Sequence, residues 1–334
     1  MWPWPRFPLP VRHHAVRDSP AEGEVPRQPP RGSRPLASCD SSGLIPDFSR
    51  TDLTCQGGSP RFMLRMKDNG EAEESILPPD YHTHTFLCKH AEGAPVDYAF
   101  HGVRRRLPAL AATDHCPMPG GYDPEHRMGI DFFPEYVRLV ETAREVSPIP
   151  ILFGIEVDYV PEYAEEVKDW VQQQGFDLVL GSVHFLDYWA FDDPAQRYLW
   201  ESADVAGVWR RYFGMIRRMV EIGLCTVVAH LDLPKKFGRR PPPRLQKEIV
   251  LPVLDVIADR GLAIEINTSG LFHPVGEIYP SPEILCWAAE RNIPVTFGSD
   301  AHTPERVGSA FDLAVRLARE CGLRAMTIEP SRRS

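Results

Sequence analysis

No run of this 334-residue sequence approaches the roughly 18 consecutive apolar residues that a membrane-spanning helix needs. Its amino terminus lacks the pairing of a basic segment with an apolar core that marks a secretory signal. The seven cysteines, at 39, 55, 88, 116, 225, 286 and 321, are odd in number and include no C-x-x-C pair. A disulfide framework and a cysteine zinc knuckle are therefore not expected. No G-x-S-x-G elbow is present for a serine nucleophile, and no glycine-rich phosphate loop follows the first apolar run. Excess basic charge is missing too. Residues 1–75 balance ten basic against ten acidic side chains, so the whole formal charge of −9 falls on residues 76–334. Such an acidic body disfavours a nucleic-acid partner, and the expectation is a cytoplasmic protein with neither nucleic acid nor membrane as its partner.

Proline is densest where periodicity is absent. Residues 1–62 are crowded with proline and arginine and show no apolar rhythm, so they bury too little surface to offset chain entropy. They read as a disordered tail, or as sequence upstream of a natural start at Met63 or Met66. Residues 63–75 read as a linker, and 76–334 as one domain large enough for a sizeable core.

Within 76–334, short β-rich runs alternate with helical stretches. Strands are expected at 76–82, 107–113, 150–156, 177–183, 225–230, 262–267, 294–299 and 324–328. Helices are expected at 132–146, 162–174, 203–222, 245–260, 282–291 and 304–321. Ser281-Pro282 and Thr303-Pro304 serve as start signals, because proline fits the first helical turn. The alternation predicts βα units in a parallel arrangement, and seven or eight strands fit a closed or nearly closed barrel. A doubly wound open sheet is the alternative.

Six of the runs end in side chains that bind metals. The first reaches His82 and His84, the second His115, the third Glu156, the fourth His184, the fifth His230, and the seventh Asp300 and His302. Residues two apart in a strand point to one side, so His82 with His84, and Asp300 with His302, can face a common centre. With His90 these form one constellation. Imidazole and carboxylate together suit zinc, iron or manganese, and a set of this size can hold more than one ion. Asp80 and Asp114 flank ligands, where a carboxylate either fixes an imidazole tautomer or caps a strand end. The remaining histidines, 13, 14, 101, 126 and 273, read as structural, and Cys88 and Cys116 as packing residues.

The ordered series DYHTHTFLCKHAEG, TDHCPMP, GIEVDY, LGSVHF, AHLDLPKKFG, EINTSG and GSDAHTPERVG resembles the polymerase-and-histidinol-phosphatase (PHP) family, in its histidinol-phosphatase branch. The resemblance implies a distorted (β/α)7 TIM-like barrel with two to three divalent ions. Carried over by position, it implies one ion on His82, His84, Glu156 and Asp300, a second on His90, His115 and His302, and a third on Glu156, His184 and His230, with Glu156 bridging. Glu156, Asp300 and His302 are the implied catalytic residues. The implied reaction is hydrolysis of L-histidinol phosphate in histidine biosynthesis by a metal-bound hydroxide. Another small phosphate ester or a nucleotide is the alternative substrate, and a non-catalytic scaffold is disfavoured because no ligand is missing. A phosphate dianion also needs cationic donors, and the loops offer Arg127, Lys235, Lys236 and Arg239 as expected substrate contacts. The segments HRMG and WAFDDP also resemble the histidinol-phosphatase branch. The helix at 96–106 is more basic than the family pattern.

Overall fold

The computed structural model describes residues 77–331. The expected tail and linker, the first residue of the first expected strand, His13, His14, Cys39 and Cys55 lie outside the described residues.

The expected alternation builds one parallel sheet. Strands β1 (Leu110–Ala112), β2 (Ile151–Asp158), β3 (Leu178–Ser182), β6 (Val227–Val228), β7 (Ala263–Asn267) and β8 (Val295–Gly298) lie side by side in chain order. All five pairings are parallel. Helices α1 (Pro95–Arg104), α2 (Phe133–Val146), α3 (Ala164–Gln174), α4 (Val205–Ile222), α5 (Pro243–Asp259), α6 (Pro282–Ala289) and α7 (Phe311–Cys321) supply the crossovers and the final cover. A short antiparallel hairpin of β4 (Phe185–Leu186) and β5 (Trp189–Ala190) stands above β3. That hairpin lies outside every expected strand, since two-residue strands carry no measurable alternation.

The first expected strand forms no ladder of its own, yet it joins the two sheet edges. Asp80 bridges Leu110 and Thr83 bridges Ala301, both in parallel. Tyr81 N donates to Phe297 O at 2.9 Å on one side, and Ala111 N donates to Asp80 O at 2.8 Å on the other. With this segment as the seventh stave, the fold is a distorted (β/α)7 barrel. The last expected strand, 324–328, is reduced to a single bridge between Ala325 and Val295.

Strand alternation divides the core in two. On β2, Ile151, Phe153, Ile155 and Val157 enter the layer beneath the helices, while Leu152 points into the barrel with Tyr81, Ala111, Leu180 and Val227. Met326 and Ile328 pack against this inner cluster. Each fully buried large apolar side chain contributes about 1.5–3 kcal/mol. Four residues beyond Leu152, on the same face, is Glu156, so the apolar floor passes directly into the polar mouth.

The expected helix at 304–321 is split. Its start becomes a single 3-10 turn, Pro304–Arg306, and α7 begins only at Phe311. Between them Gly308 at φ 64° and Ala310 at φ 58° take left-handed backbone, which redirects the chain from the mouth to the outer face. A disulfide joins Cys286 of α6 to Cys321 of α7, while Cys88, Cys116 and Cys225 are free and buried. The odd cysteine count did not foretell that pair, whose members are 35 residues apart with no motif. No helix among the described residues is long and apolar enough to cross a membrane.

Asp80 staples the closure. Its carboxylate accepts from His82 N at 3.2 Å, Ser299 N at 2.9 Å, Ser299 Oγ at 2.5 Å and Gly308 N at 2.8 Å, and burial pushes its pKa up to about 6. Asp80→Ala would leave three buried N–H groups without an acceptor, each worth roughly 1–3 kcal/mol. A loss of about 3 kcal/mol or more is expected in urea unfolding, with Asp80→Asn recovering part of it. A loss below about 1 kcal/mol would show that the closure does not depend on this carboxylate.

Candidate metal centre

Eight of the nine expected ligands emerge at the carboxyl ends of the staves, as the barrel rule requires. His82 and His84 come from the closing segment, His115 follows β1, Glu156 lies on β2, His184 follows β3, His230 follows β6, and Asp300 and His302 follow β8. His90 arrives by another route. The 3-10 turn Phe86–Cys88 ends at Lys89, whose φ of 71° turns the chain back toward the mouth. Two of the candidates hold left-handed backbone themselves, His230 at φ 23° and Asp300 at φ 52°, the kind of local strain that persists where surrounding contacts over-determine it.

Glu156 is the hub. Its Oε1 lies 3.0 Å from His230 Nε2 and 3.7 Å from His184 Nε2, and its Oε2 lies 3.1 Å from His115 Nδ1, 3.5 Å from His82 Nε2 and 3.6 Å from His84 Nε2. Asp300 Oδ1 lies 3.2 Å from His84 Nε2 and 3.6 Å from His82 Nε2. His90 and His302 meet through their Nε2 atoms at 3.0 Å. Donor atoms cluster as His82, His84 and Asp300, as His90, His115 and His302, and as His82, Glu156 and His230.

The donor chemistry fits metal ions. His82 Nε2, both ring nitrogens of His84, His115 Nδ1 and His230 Nδ1 are buried with no hydrogen-bond partner. Leaving so many buried polar atoms unsatisfied would cost several kcal/mol, and a cation bound by the ring nitrogens that face Glu156 and Asp300 would offset part of that cost. Burial alone would raise the Glu156 and Asp300 carboxyls, but the imidazoles around them outweigh it and hold both well below the usual carboxylate range. Both carboxylates are thus charged and ready to bind a cation.

A second ring of carboxylates orients the imidazoles, and of the two roles open to Asp80 and Asp114 the backbone-capping one predominates. Asp80 binds backbone N–H groups and Ser299. Asp114 accepts from the Thr85 N–H and hydroxyl and from His115 N, and stands 3.8 Å from His84 Nδ1. The carboxylates that face ring nitrogens at hydrogen-bond distance are Glu265, 2.7 Å from His82 Nδ1, and Asp158, 2.7 Å from His184 Nδ1. Glu265 also accepts from His230 N at 2.9 Å and Asn267 Nδ2 at 3.1 Å. Gly298 of β8 makes room for this arrangement, because a Cβ there would sit 1.9 Å from Glu265 Oε1 and 2.6 Å from His82 Cβ. Backbone carbonyls do the same work elsewhere: Cys88 O faces His90 Nδ1 at 2.8 Å, and Asp300 O faces His302 Nδ1 at 3.0 Å. Each such contact fixes which ring nitrogen is presented to the centre.

The centre opens into a cavity of about 550 Å³. Of the four expected phosphate contacts, Arg127 and Lys236 line it, whereas Lys235 and Arg239 do not. Lys235 is fully buried and its Nζ is spent on Asp232, Glu277 and the Ile278 carbonyl. Arg127 is also buried, donating to Cys116 O, Asp123 and Asp158, so it chiefly braces the carboxylate that orients His184. Lys236 pairs with Asp192 at 3.1 Å. His126 and His273, read as structural from the sequence, both line the cavity, as does Arg306, which the sequence reading did not single out.

Comparison with known proteins shows which family carries this fold. The PHP domain model matches residues 80–269, more than half of the chain, and the PHP-associated model matches residues 283–316. A Deinococcus radiodurans protein named "Probable histidinol-phosphatase" is 39% identical over 250 residues, which span 74% of this chain and 95% of that protein. The histidinol-phosphatase of Bacillus subtilis (strain 168) is 27% identical over 258 residues, spanning 70% of this chain and 96% of that protein. The fold superposes on the crystal structure of histidinol phosphate phosphatase from Lactococcus lactis, complexed with zinc, L-histidinol and phosphate, at a TM-score of 0.65 and 20% identity, covering 77% of this chain and 98% of that one. With the PHP domain model matching more than half of the chain and a 39% identical relative matched along nearly its whole length, this chain belongs to the PHP family, in its histidinol-phosphatase branch.

Proposed function

We propose that this protein hydrolyses L-histidinol phosphate to L-histidinol and inorganic phosphate, a step of histidine biosynthesis carried out in the cytoplasm. The observation that carries the reading is Glu156, whose two oxygens face separate sets of imidazoles at the floor of a cavity sized for one small ester. Residues 76–334 bear the activity, and 1–62 contribute none. His82, His84, His90, His115, Glu156, His184, His230, Asp300 and His302 would hold two to three ions of zinc, iron or manganese. Such ions, when bound, acidify water and neutralise charge on a phosphoryl group. The protein's own part is orientation and charge: Glu265 and Asp158 hold their imidazoles in register, and Glu156, Asp300 and His302 stand at the reacting centre. The Lactococcus lactis complex with zinc, L-histidinol and phosphate supports the choice of substrate and of zinc.

The test is a panel of phosphate esters given to the purified full chain with each metal in turn. L-histidinol phosphate should exceed the nucleotides and simple alkyl phosphates in kcat/KM by at least about 100-fold, the discrimination available to a site that pairs with a substrate's own polar groups. A different ester taking first place would overturn the substrate and leave the phosphatase standing.

A further inference from the structure

Three cationic side chains other than histidine line the cavity, and two of them are already neutralised. Arg127 is held by Asp123 and Asp158, and Lys236 by Asp192. Arg306 differs. Among the described residues it makes no ion pair, and its guanidinium lies over the ring of Phe272, 4.0 Å from the centroid. The acid beside it in sequence, Glu305, is turned away, with its carboxylate 4.0 Å from His101 on α1 and its carbonyl accepting from Arg105. Phe272 is itself half exposed and closes the 3-10 turn that follows β7, while Arg306 closes the turn that follows β8 and His302. Two neighbouring staves therefore present, at one rim of the mouth, a planar cation seated on an aromatic face.

Resting on the reading above, we infer that Arg306 is the side chain that grips the substrate's phosphate, with Phe272 as its seat. The phosphate is the only anionic group of the substrate, and a cation with no carboxylate to leave can turn to it without breaking an existing pair. The guanidinium fork matches two phosphate oxygens at once, and stacking on Phe272 restricts the rotamers that binding must otherwise freeze. Arg127, braced on three acceptors, keeps its place in the scaffold.

The experiment compares the wild type with Arg306→Ala, Arg306→Lys and Phe272→Ala in the metal-loaded full chain. It uses inorganic phosphate as the binding probe and whichever ester the panel favours as substrate. Arg306→Ala should raise KM and the inhibition constant of phosphate together by about 10- to 100-fold, the worth of a charge-assisted pair, with kcat changed less than about 3-fold. Bound metal and Tm should stay at wild-type values. Arg306→Lys should recover part of the affinity, since it restores charge without the fork. Phe272→Ala should shift KM in the same direction by a smaller factor. Unchanged KM and phosphate inhibition in Arg306→Ala would overturn the inference, whatever happened to Tm. Because phosphate is the probe, the inference survives or falls independently of whether L-histidinol phosphate proves to be the substrate.

Discussion

Replacing Glu156 by glutamine is expected to lower kcat by several powers of ten and to reduce bound metal, while leaving the barrel folded. The side chain is 1% exposed and keeps its shape in the variant, so no cavity forms. What changes is charge and donor type. One carboxylate oxygen becomes an NH2 group that cannot bind a cation, and the anion shared between His230 and His184 on one side and His115, His82 and His84 on the other disappears. A carboxylate whose two oxygens face separate sets of imidazoles is lost in one substitution, so both halves of the centre are affected together. Metal content by elemental analysis, far-UV circular dichroism and kcat together check the prediction. A variant with wild-type metal and near wild-type kcat would show that the shared carboxylate is not the hub.

The sequence exposed this hub and hid what supports it, for physical reasons. A histidine or carboxylate that ends an apolar run interrupts the run, so His115, Glu156, His184, His230 and Asp300 stood out by contrast. Glu265 sits inside its strand, between Ile264 and Ile266, and without a histidine beside it nothing marks it as more than one polar residue in β7. Only the approach of His82, 183 residues away in sequence, gives it a role. Asp158 was within reach: two residues beyond Glu156 it must point to the same face, the rule already applied to His82 and His84. The cations failed differently. Charge is visible in a sequence but its partners are not, so Lys235, consumed by Asp232 and Glu277, looked the same as Arg306, which no carboxylate among the described residues holds. The βα rhythm fixed every major stave. The β4–β5 hairpin and the break before α7 depend on single positive-φ residues, Asp187 in the one and Gly308 with Ala310 in the other, and an apolar pattern does not record those.

Removing the metals should cost the protein both its activity and part of its stability, and the second loss reports on the site when no substrate is present. Chelation leaves the buried nitrogens that face the centre, His82 Nε2, His84 Nε2 and His115 Nδ1, without hydrogen-bond partners. An ion held at 1,000 times its dissociation constant stabilises the folded state by about 4 kcal/mol. For a chain of this size that corresponds to a fall in Tm of roughly 8–16 °C on chelation. Zinc, iron or manganese added back should restore activity and Tm together. Protons compete with metal for the imidazoles, so the site's own affinity for metal should fall as pH falls. Glu265→Gln sharpens the test: it leaves every ligand in place but weakens the acceptor that fixes His82 and the His230 backbone, and it should lower the chelator concentration at half-loss of metal by about 10- to 100-fold. A protein that keeps its activity and Tm through exhaustive chelation would refute the metal centre. If chelation acts as described but Glu265→Gln loses metal no more readily than wild type, the centre stands, and the orientation of His82 must come from the barrel walls alone.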